Sequence, residues 1–217
     1  MGRKKRNFVI LGLGSFGSVV AGTLAQFGNH VLGIDSDERR VADMAEKLSN
    51  VAILDASDDA ALREAGVENY NVALVSMGND LESSILSVMN LKLIGVETIW
   101  VKADNRTHHR IMSKMGVDRV LLPDIEMGRH TAQMMNNPAV QDYVSLGNGY
   151  NVVNVRVPEE LDGRTIADLR LGQGIRALGM MRGTEYIQTD PDKRLKIGDR
   201  LLLLGRKPEL SQFSETL

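Results

Sequence analysis

Asn7-Phe8-Val9-Ile10-Leu11-Gly12-Leu13-Gly14-Ser15-Phe16-Gly17 runs from an apolar stretch straight into three spaced glycines. That order predicts a strand, a tight turn and the start of a helix. The Gly-x-Gly-x-x-Gly spacing has a physical purpose. Gly12 can take the strained turn, Gly14 carries no Cβ to hold a pyrophosphate off the backbone, and Gly17 lets the helix lie close on the strand. The helix N-terminus then offers unpaired N–H groups to phosphate. Short glycine turns also recur by chance in a chain with 21 glycines, so the context decides. Helical spacing follows at Val19-Val20, Leu24 and Phe27, breaks at Gly28-Asn29-His30, and gives way to Val31-Leu32-Gly33-Ile34, which ends at Asp35. An acid about 20 residues past the glycines is where an acceptor for ribose hydroxyls is expected. The bland alternative is a tight βα turn with an acidic cap.

The alternation continues. Asp37 to Leu48 carries Val41, Met44, Ala45 and Leu48 at helical spacing, and Val51 to Leu54 reads as a buried strand. Ala60 to Ala65 is a short helix closed by Gly66, and Val72 to Val75 a fourth strand. Asp80 starts a long helix stopped by Gly95, and Thr98 to Val101 is a fifth strand. A helix with Ile111, Met112 and Met115 ends at Gly116, and Arg119 to Leu122 is a sixth strand, ended by Pro123. Short apolar strands alternating with helices predict an α/β, Rossmann-like doubly wound parallel sheet, with ligand at the strands' carboxyl ends. A helix follows from Asp124 to Met135, then a second helical piece from Ala139 to Leu146, with Gly147-Asn148-Gly149 as a domain boundary. The rest alternates as half-exposed strands do at Tyr150 to Val157, Glu185 to Gln188 and Arg200 to Leu204, with Ile175 to Met181 apolar and a final helix at Pro208 to Phe213. A smaller α+β domain fits this last third.

Composition excludes several classes. The chain has 217 residues, a formal net charge of −2 and no cysteine, so disulfide and thiolate chemistry are absent and there is no bulk attraction to nucleic acid. Arg3-Lys4-Lys5-Arg6 is a local basic arm, read as a solvated tail. No apolar run approaches the ~20 residues of a membrane span, and the N-terminus lacks a signal peptide's apolar segment, which predicts a cytoplasmic protein. Arg6 stands where a myristoylation signal at Gly2 needs Ser or Thr.

The predicted strand ends line up as one site: the glycine turn, Asp35-Ser36-Asp37, Asp55-Ala56, Met77-Gly78-Asn79 and Lys102-Ala103-Asp104. Asp35 would accept from ribose, small residues at 56 and 78 leave room for an adenine, and Lys102 meets phosphate charge or is a solvent-facing lysine. The adjacent His108 and His109 point about 100° apart on a helix and cannot easily share a metal. Glu126 and His130, one helical turn apart, read as an ordinary pair. Met112, Met115, Met127, Met134 and Met135 read as core, with a partner surface as the alternative. No Gly-x-Ser-x-Gly nucleophile motif appears, and the last ~70 residues carry no clustered acid, base or nucleophile of the kind an NAD-dependent oxidoreductase would need. A transcription regulator would need a basic recognition helix, which neither end supplies.

The segments Ile10 to Gly17, Ile99-Trp100-Val101-Lys102-Ala103 with His108-His109, Gly116-Val117-Asp118-Arg119-Val120 and Lys196-Ile197-Gly198-Asp199-Arg200-Leu201 resemble, in content and in order, the KtrA and TrkA regulatory subunits of bacterial potassium uptake systems. The resemblance implies a nucleotide-binding RCK-N (KTN) domain over 1–142 and an RCK-C domain over 143–217. It implies a homo-octameric ring built from dimers, peripheral on the inner membrane face through a KtrB/TrkH-like potassium-translocating subunit. It also implies regulation by ATP or ADP, with NAD or NADH in TrkA-like members. The family's nucleotide contacts fall on Ser15, Asp35, Ser36, Asp37, Asp55, Ala56, Met77, Gly78, Asn79, Lys102, Ala103, Asp104 and His108, beside Gly12, Gly14, Phe16 and Gly17 of the turn. Two positions depart. Ser15 stands where the KtrA pattern has an arginine that senses the terminal phosphate. Asp124 stands where a glutamate supports a cation near the phosphates, one methylene shorter. Ile166 and Ala167 fall near an apolar cleft that takes cyclic di-AMP in some relatives, without the matching arginine.

Overall fold

β1 (Asn7–Leu11) pairs in parallel with β2 (His30–Asp35) on one side and with β4 (Val72–Val75) on the other. β3 (Asn50–Ile53), β5 (Thr98–Lys102) and β6 (Arg119–Leu121) complete a parallel sheet of order β3-β2-β1-β4-β5-β6. The order reverses between β1 and β4, which makes the crevice above their carboxyl ends the ligand position of a doubly wound fold. The computed structural model describes residues 6–78, 80–136, 140–188 and 190–214. The chain divides into two compact units, Met1–Glu126 and Met127–Leu217.

Side chains in the central strands alternate between two covered faces. Val9, Leu11, Ala73 and Val75 pack with Leu62 of α3 (Asp59–Glu64), Val88 and Leu91 of α4 (Leu81–Ile94) and Met112 of α5 (Arg106–Lys114). Ile10 and Leu74 face the other way, onto Ala21 of α1 (Ser15–Gln26) and Val41 of α2 (Glu38–Ala42). The apolar runs read as buried strands because both faces are covered. Helix ends follow their signals. Asp58 and Asp80 accept from first-turn N–H groups of α3 and α4, and Gly95 closes α4 at φ +96°.

Three expectations change. The helix predicted over 37–48 stops at Ala42, where 3-10-type bonds such as Met44 N–H to Val41 O and Ala45 N–H to Ala42 O replace the α pattern; Val41, Met44 and Leu48 stay buried in that tighter path. The third strand is an edge strand rather than a buried one, and leaves Ile53 exposed. The helix predicted over 139–146 is β7 (Val140–Gly147), and Gly147-Asn148-Gly149 is the turn into β8 (Tyr150–Arg156), not a domain boundary. Antiparallel pairing with β8 overrides the short helical spacing. The two units part after Glu126, ahead of residue 142, and α6 (Pro123–Asn136) runs through that point as one helix. Of the methionines, Met112 is buried whereas Met127 and Met135 are exposed.

The second unit is an antiparallel sheet of order β10-β9-β11-β8-β7, with β9 at Arg176–Arg182, β10 at Glu185–Gln188 and β11 at Arg200–Arg206, followed by α7 (Lys207–Ser214). Val153, Val155, Met180, Leu195, Leu201 and Leu203 form its core. The Lys196–Leu201 turn closes it. Gly198 takes φ +81°, and buried Asp199 accepts from Arg182 Nε at 2.9 Å, Arg182 Nη2 at 2.7 Å and the Lys196 N–H at 2.8 Å. Burial pushes the Asp199 carboxyl up, but the Arg182 and Lys196 hydrogen bonds and charges prevail and hold it below the usual carboxylate range.

Asp199→Ala takes the carboxylate from the Arg182 guanidinium, which keeps Arg194 O, and leaves the Lys196 N–H without its partner. It should cost about 1–3 kcal/mol of stability in urea unfolding. The native pKa is depressed, so the wild-type contribution is complete above the unfolded value of about 4 and fades as pH falls through the native pKa. The gap between wild type and variant should therefore close in acid.

Candidate functional site

The carboxyl ends of β1 to β5 surround a cleft of about 560 Å³. Its floor is the glycine turn. Gly12 sits at φ +94°, and a Cβ there would run into the Ser76 carbonyl at the end of β4. A Cβ on Gly17 would run into the Gly12 carbonyl, so these two glycines set how closely β1, β4 and α1 approach. Gly14 differs. Its φ of −62° suits any residue, and a Cβ there meets nothing within 4 Å. The open space above Gly14 faces the cleft, beside a helix N-terminus that has no side-chain cap and no acid in its first turn. Uncapped N–H groups and room for an oxyanion coincide, which fits the phosphate reading of the motif.

Asp35, at the end of β2, is buried and doubly held. Its Oδ2 accepts from Leu13 N–H at 2.7 Å and its Oδ1 from Asp37 N–H at 2.9 Å. Arg40 Nη1 approaches Oδ2 at 3.4 Å. Asp55, at the end of β3, accepts from the Ser57 hydroxyl and N–H, which lower its pKa against burial and the like charge of Asp80. Asp80 accepts from the Ser83 N–H and hydroxyl, which lower its pKa in the same way. Both acids stay ionised at neutral pH. Lys102 at the end of β5 bonds Asp104 Oδ1 at 3.0 Å and Asp124 Oδ2 at 3.2 Å. Burial pulls its pKa down, but these hydrogen bonds and charges outweigh that and raise it, so the ammonium persists.

Of the residues expected at the site, Gly12, Gly14, Ser15, Phe16, Asp35, Ser36, Asp55, Ala56, Met77, Gly78 and Lys102 line the cleft. Gly17 lies under it as a packing position, and Asp37 caps α2 by accepting from Arg39 N–H. Asn79 lies outside the described residues. Ala103, Asp104 and His108 are not in the lining. His108 is buried, with Nε2 3.1 Å from Ser84 Oγ and Nδ1 3.9 Å from Asp104 Oδ2. Burial lowers its pKa, the Asp104 charge opposes this and Lys102 adds to it, so the ring is neutral at pH 7. Ser84, His108 and Asp104 follow the order of a nucleophilic triad, yet Ser84 is wholly buried and offers no attack path. Asp124, expected as a cation ligand, faces Lys102, and among the described residues no three His, Asp or Glu side chains gather as a metal site. His130 stands 3.4 Å from Asp142 rather than pairing with Glu126.

Sequence reasoning missed Arg40, Ser76, Asp80 and Ser83 in the lining. Asp80 and Ser83 carried a signal. An Asp followed three residues later by Ser at a helix start fixes both side chains at the helix mouth, beside the preceding strand end.

A TrkA-N domain matches residues 8–123 and a TrkA-C domain residues 152–217. The chain is 31% identical over 215 residues to Ktr system potassium uptake protein A of Vibrio alginolyticus and 30% identical over 217 residues to the protein of the same name from Bacillus subtilis, covering 98% of each chain in both cases. Among solved structures, the GsuK channel bound to NAD aligns at TM-score 0.58 and 21% identity over all of this chain and 39% of its own, a likeness of fold. Among the described residues, no helix is long and apolar enough to cross a membrane.

The three glycines should separate on substitution. Gly12→Ala and Gly17→Ala force backbone apart and should each cost about 1–3 kcal/mol in thermal unfolding. Gly14→Asp should leave the melting temperature unchanged or slightly higher, because Asp is a favoured N-cap for α1.

Proposed function

The chain belongs to the KtrA/TrkA family of potassium uptake proteins, and from that premise we propose that it is a regulatory subunit that binds an adenine nucleotide in the cleft of its first unit and thereby controls a membrane potassium-translocating partner. The observation that carries the nucleotide reading is the open, uncapped N-terminus of α1 above Gly14, next to the fixed carboxylate of Asp35. Phosphate takes the α1 N–H groups, ribose hydroxyls donate to Asp35, and the small Ala56 and Gly78 leave room for the base. A ligand with a 2′-phosphate would press a second negative charge on Asp35, which disfavours NADP. Regulation needs no chemical step, only different affinities of nucleotide for two states of the assembly. A ring of dimers on the cytoplasmic membrane face belongs to this reading.

Between ATP or ADP and NAD(H), the cleft offers an argument for each. Lys102 at the β5 end supplies a cation for terminal phosphates. Ser15, in the first turn of α1, adds a hydroxyl and no charge there, which suits a dinucleotide equally.

Thermal unfolding with ATP, ADP, NAD and NADH tests both. A ligand at ~100 times its dissociation constant should add about 2.7 kcal/mol, and Gly14→Asp should abolish the increment without loss of fold. No shift with any of the four, or a full shift in Gly14→Asp, would overturn the nucleotide site.

A further inference from the structure

Among the described residues, two cations line the cleft, Arg40 and Lys102. Arg40 is half exposed and tied to Asp35 and Asp37 on its own side. Lys102 is the better placed for phosphate, since its side chain is only 14% exposed and so little screened. It is also held by two unlike partners. Asp104 is equally sheltered and lies two residues along the chain. Asp124 is 74% exposed and stands in the first turn of α6. A pair with one exposed carboxylate is weak and salt-screened, whereas a polyphosphate beside an uncapped helix N-terminus brings two or more negative charges to the same ammonium. The exposed partner is the one that yields.

Resting on the nucleotide reading of the cleft, we propose that Lys102 is shared between the cleft and α6: nucleotide phosphate draws Nζ off Asp124 while Asp104 retains it, so that occupancy of the cleft unlatches the first turn of α6. The residue released lies two positions before Glu126, where the first unit ends, on a helix that continues to Asn136 in the second. Coupling of this kind is reciprocal. Whatever holds Asp124 on Lys102 weakens nucleotide binding by the same factor that nucleotide weakens the latch. A cation-ligand role for Asp124 makes the opposite prediction, because losing the carboxylate would then weaken nucleotide binding.

The test is ADP affinity by calorimetry for wild type, Asp124→Asn and Asp124→Glu, in EDTA and in magnesium, with hydrogen exchange at Glu126 and the following turn. The Glu126 N–H bonds Leu122 O at 2.9 Å and reports on that turn. Asp124→Asn should bind ADP about 2- to 5-fold tighter, the range an exposed ion pair supports. Asp124→Glu should stay near wild type, and ADP should speed exchange at Glu126 in wild type but not in Asp124→Asn. Unchanged affinity in a folded Asp124→Asn, weaker binding confined to magnesium, or wild-type exchange indifferent to bound ADP would each overturn the latch and leave the nucleotide site standing. Wild type that binds no adenine nucleotide would overturn the site itself, and the latch with it.

Discussion

Backbone approach at the β1–α1 turn is the constraint on which the first unit depends. Gly12 lies against the Ser76 carbonyl and Gly17 against the Gly12 carbonyl, with no room for a Cβ at either. Those contacts set the spacing of β1 and β4 where the strand order reverses, and they aim the first N–H groups of α1 into the crevice between them. A methyl group at position 12 or 17 would disturb the sheet and the site together. Position 14 carries no such burden, and packing does not call for its glycine. The three-glycine motif thus separates into two packing members and one that packing leaves open toward the cleft.

Asp35 shows why the functional and bland readings of an acid need not compete. Its two oxygens accept from Leu13 and Asp37 N–H groups, so it braces the glycine turn from beneath and orders the entry to α2. The same bonds fix the carboxylate at the cleft wall before any ligand arrives; Oδ2 is shared between Leu13 N–H and Arg40 Nη1, whereas Oδ1, bonded only to Asp37 N–H, keeps a lone pair that a hydroxyl could use. Preorganisation of this kind lowers the ordering cost of binding.

The parallel sheet, its order of elements and the strand-end site were legible because each strand was a short apolar run followed by a helix with its own stop signal. What was not legible came from pairing at a distance. Ala139 to Leu146 reads as a helical piece in isolation, and only the partner strand Tyr150–Arg156 makes Val140–Gly147 the strand β7. His108 meets Ser84 of α4, which packs in the same core cluster as α5, and spacing along α5 cannot reveal that. Arg40 reaches the cleft from the first turn of α2, five residues past Asp35, with which it pairs. Asp124 was expected only through the resemblance, as a cation ligand, and its partner Lys102 was visible only in three dimensions.

Charge in the cleft is arranged rather than merely summed. Asp35, Asp55 and Asp80 oppose Arg40 and Lys102, so the described lining carries more negative than positive charge and does not attract phosphate as a whole. The two cations are already answered locally. Arg40 lies 3.4 Å from Asp35, and Lys102 lies 3.0 Å from Asp104 and 3.2 Å from Asp124. Asp55, just past β3, and Lys102, at the end of β5, are separated by β2, β1 and β4, four strand spacings or about 19 Å. A bare phosphate at the uncapped N–H groups of α1 would use only the middle of that span. An extended ligand, with phosphates there and hydrogen-bond donors toward Asp55, would use more of it, which is why the geometry favours a nucleotide over a simple anion.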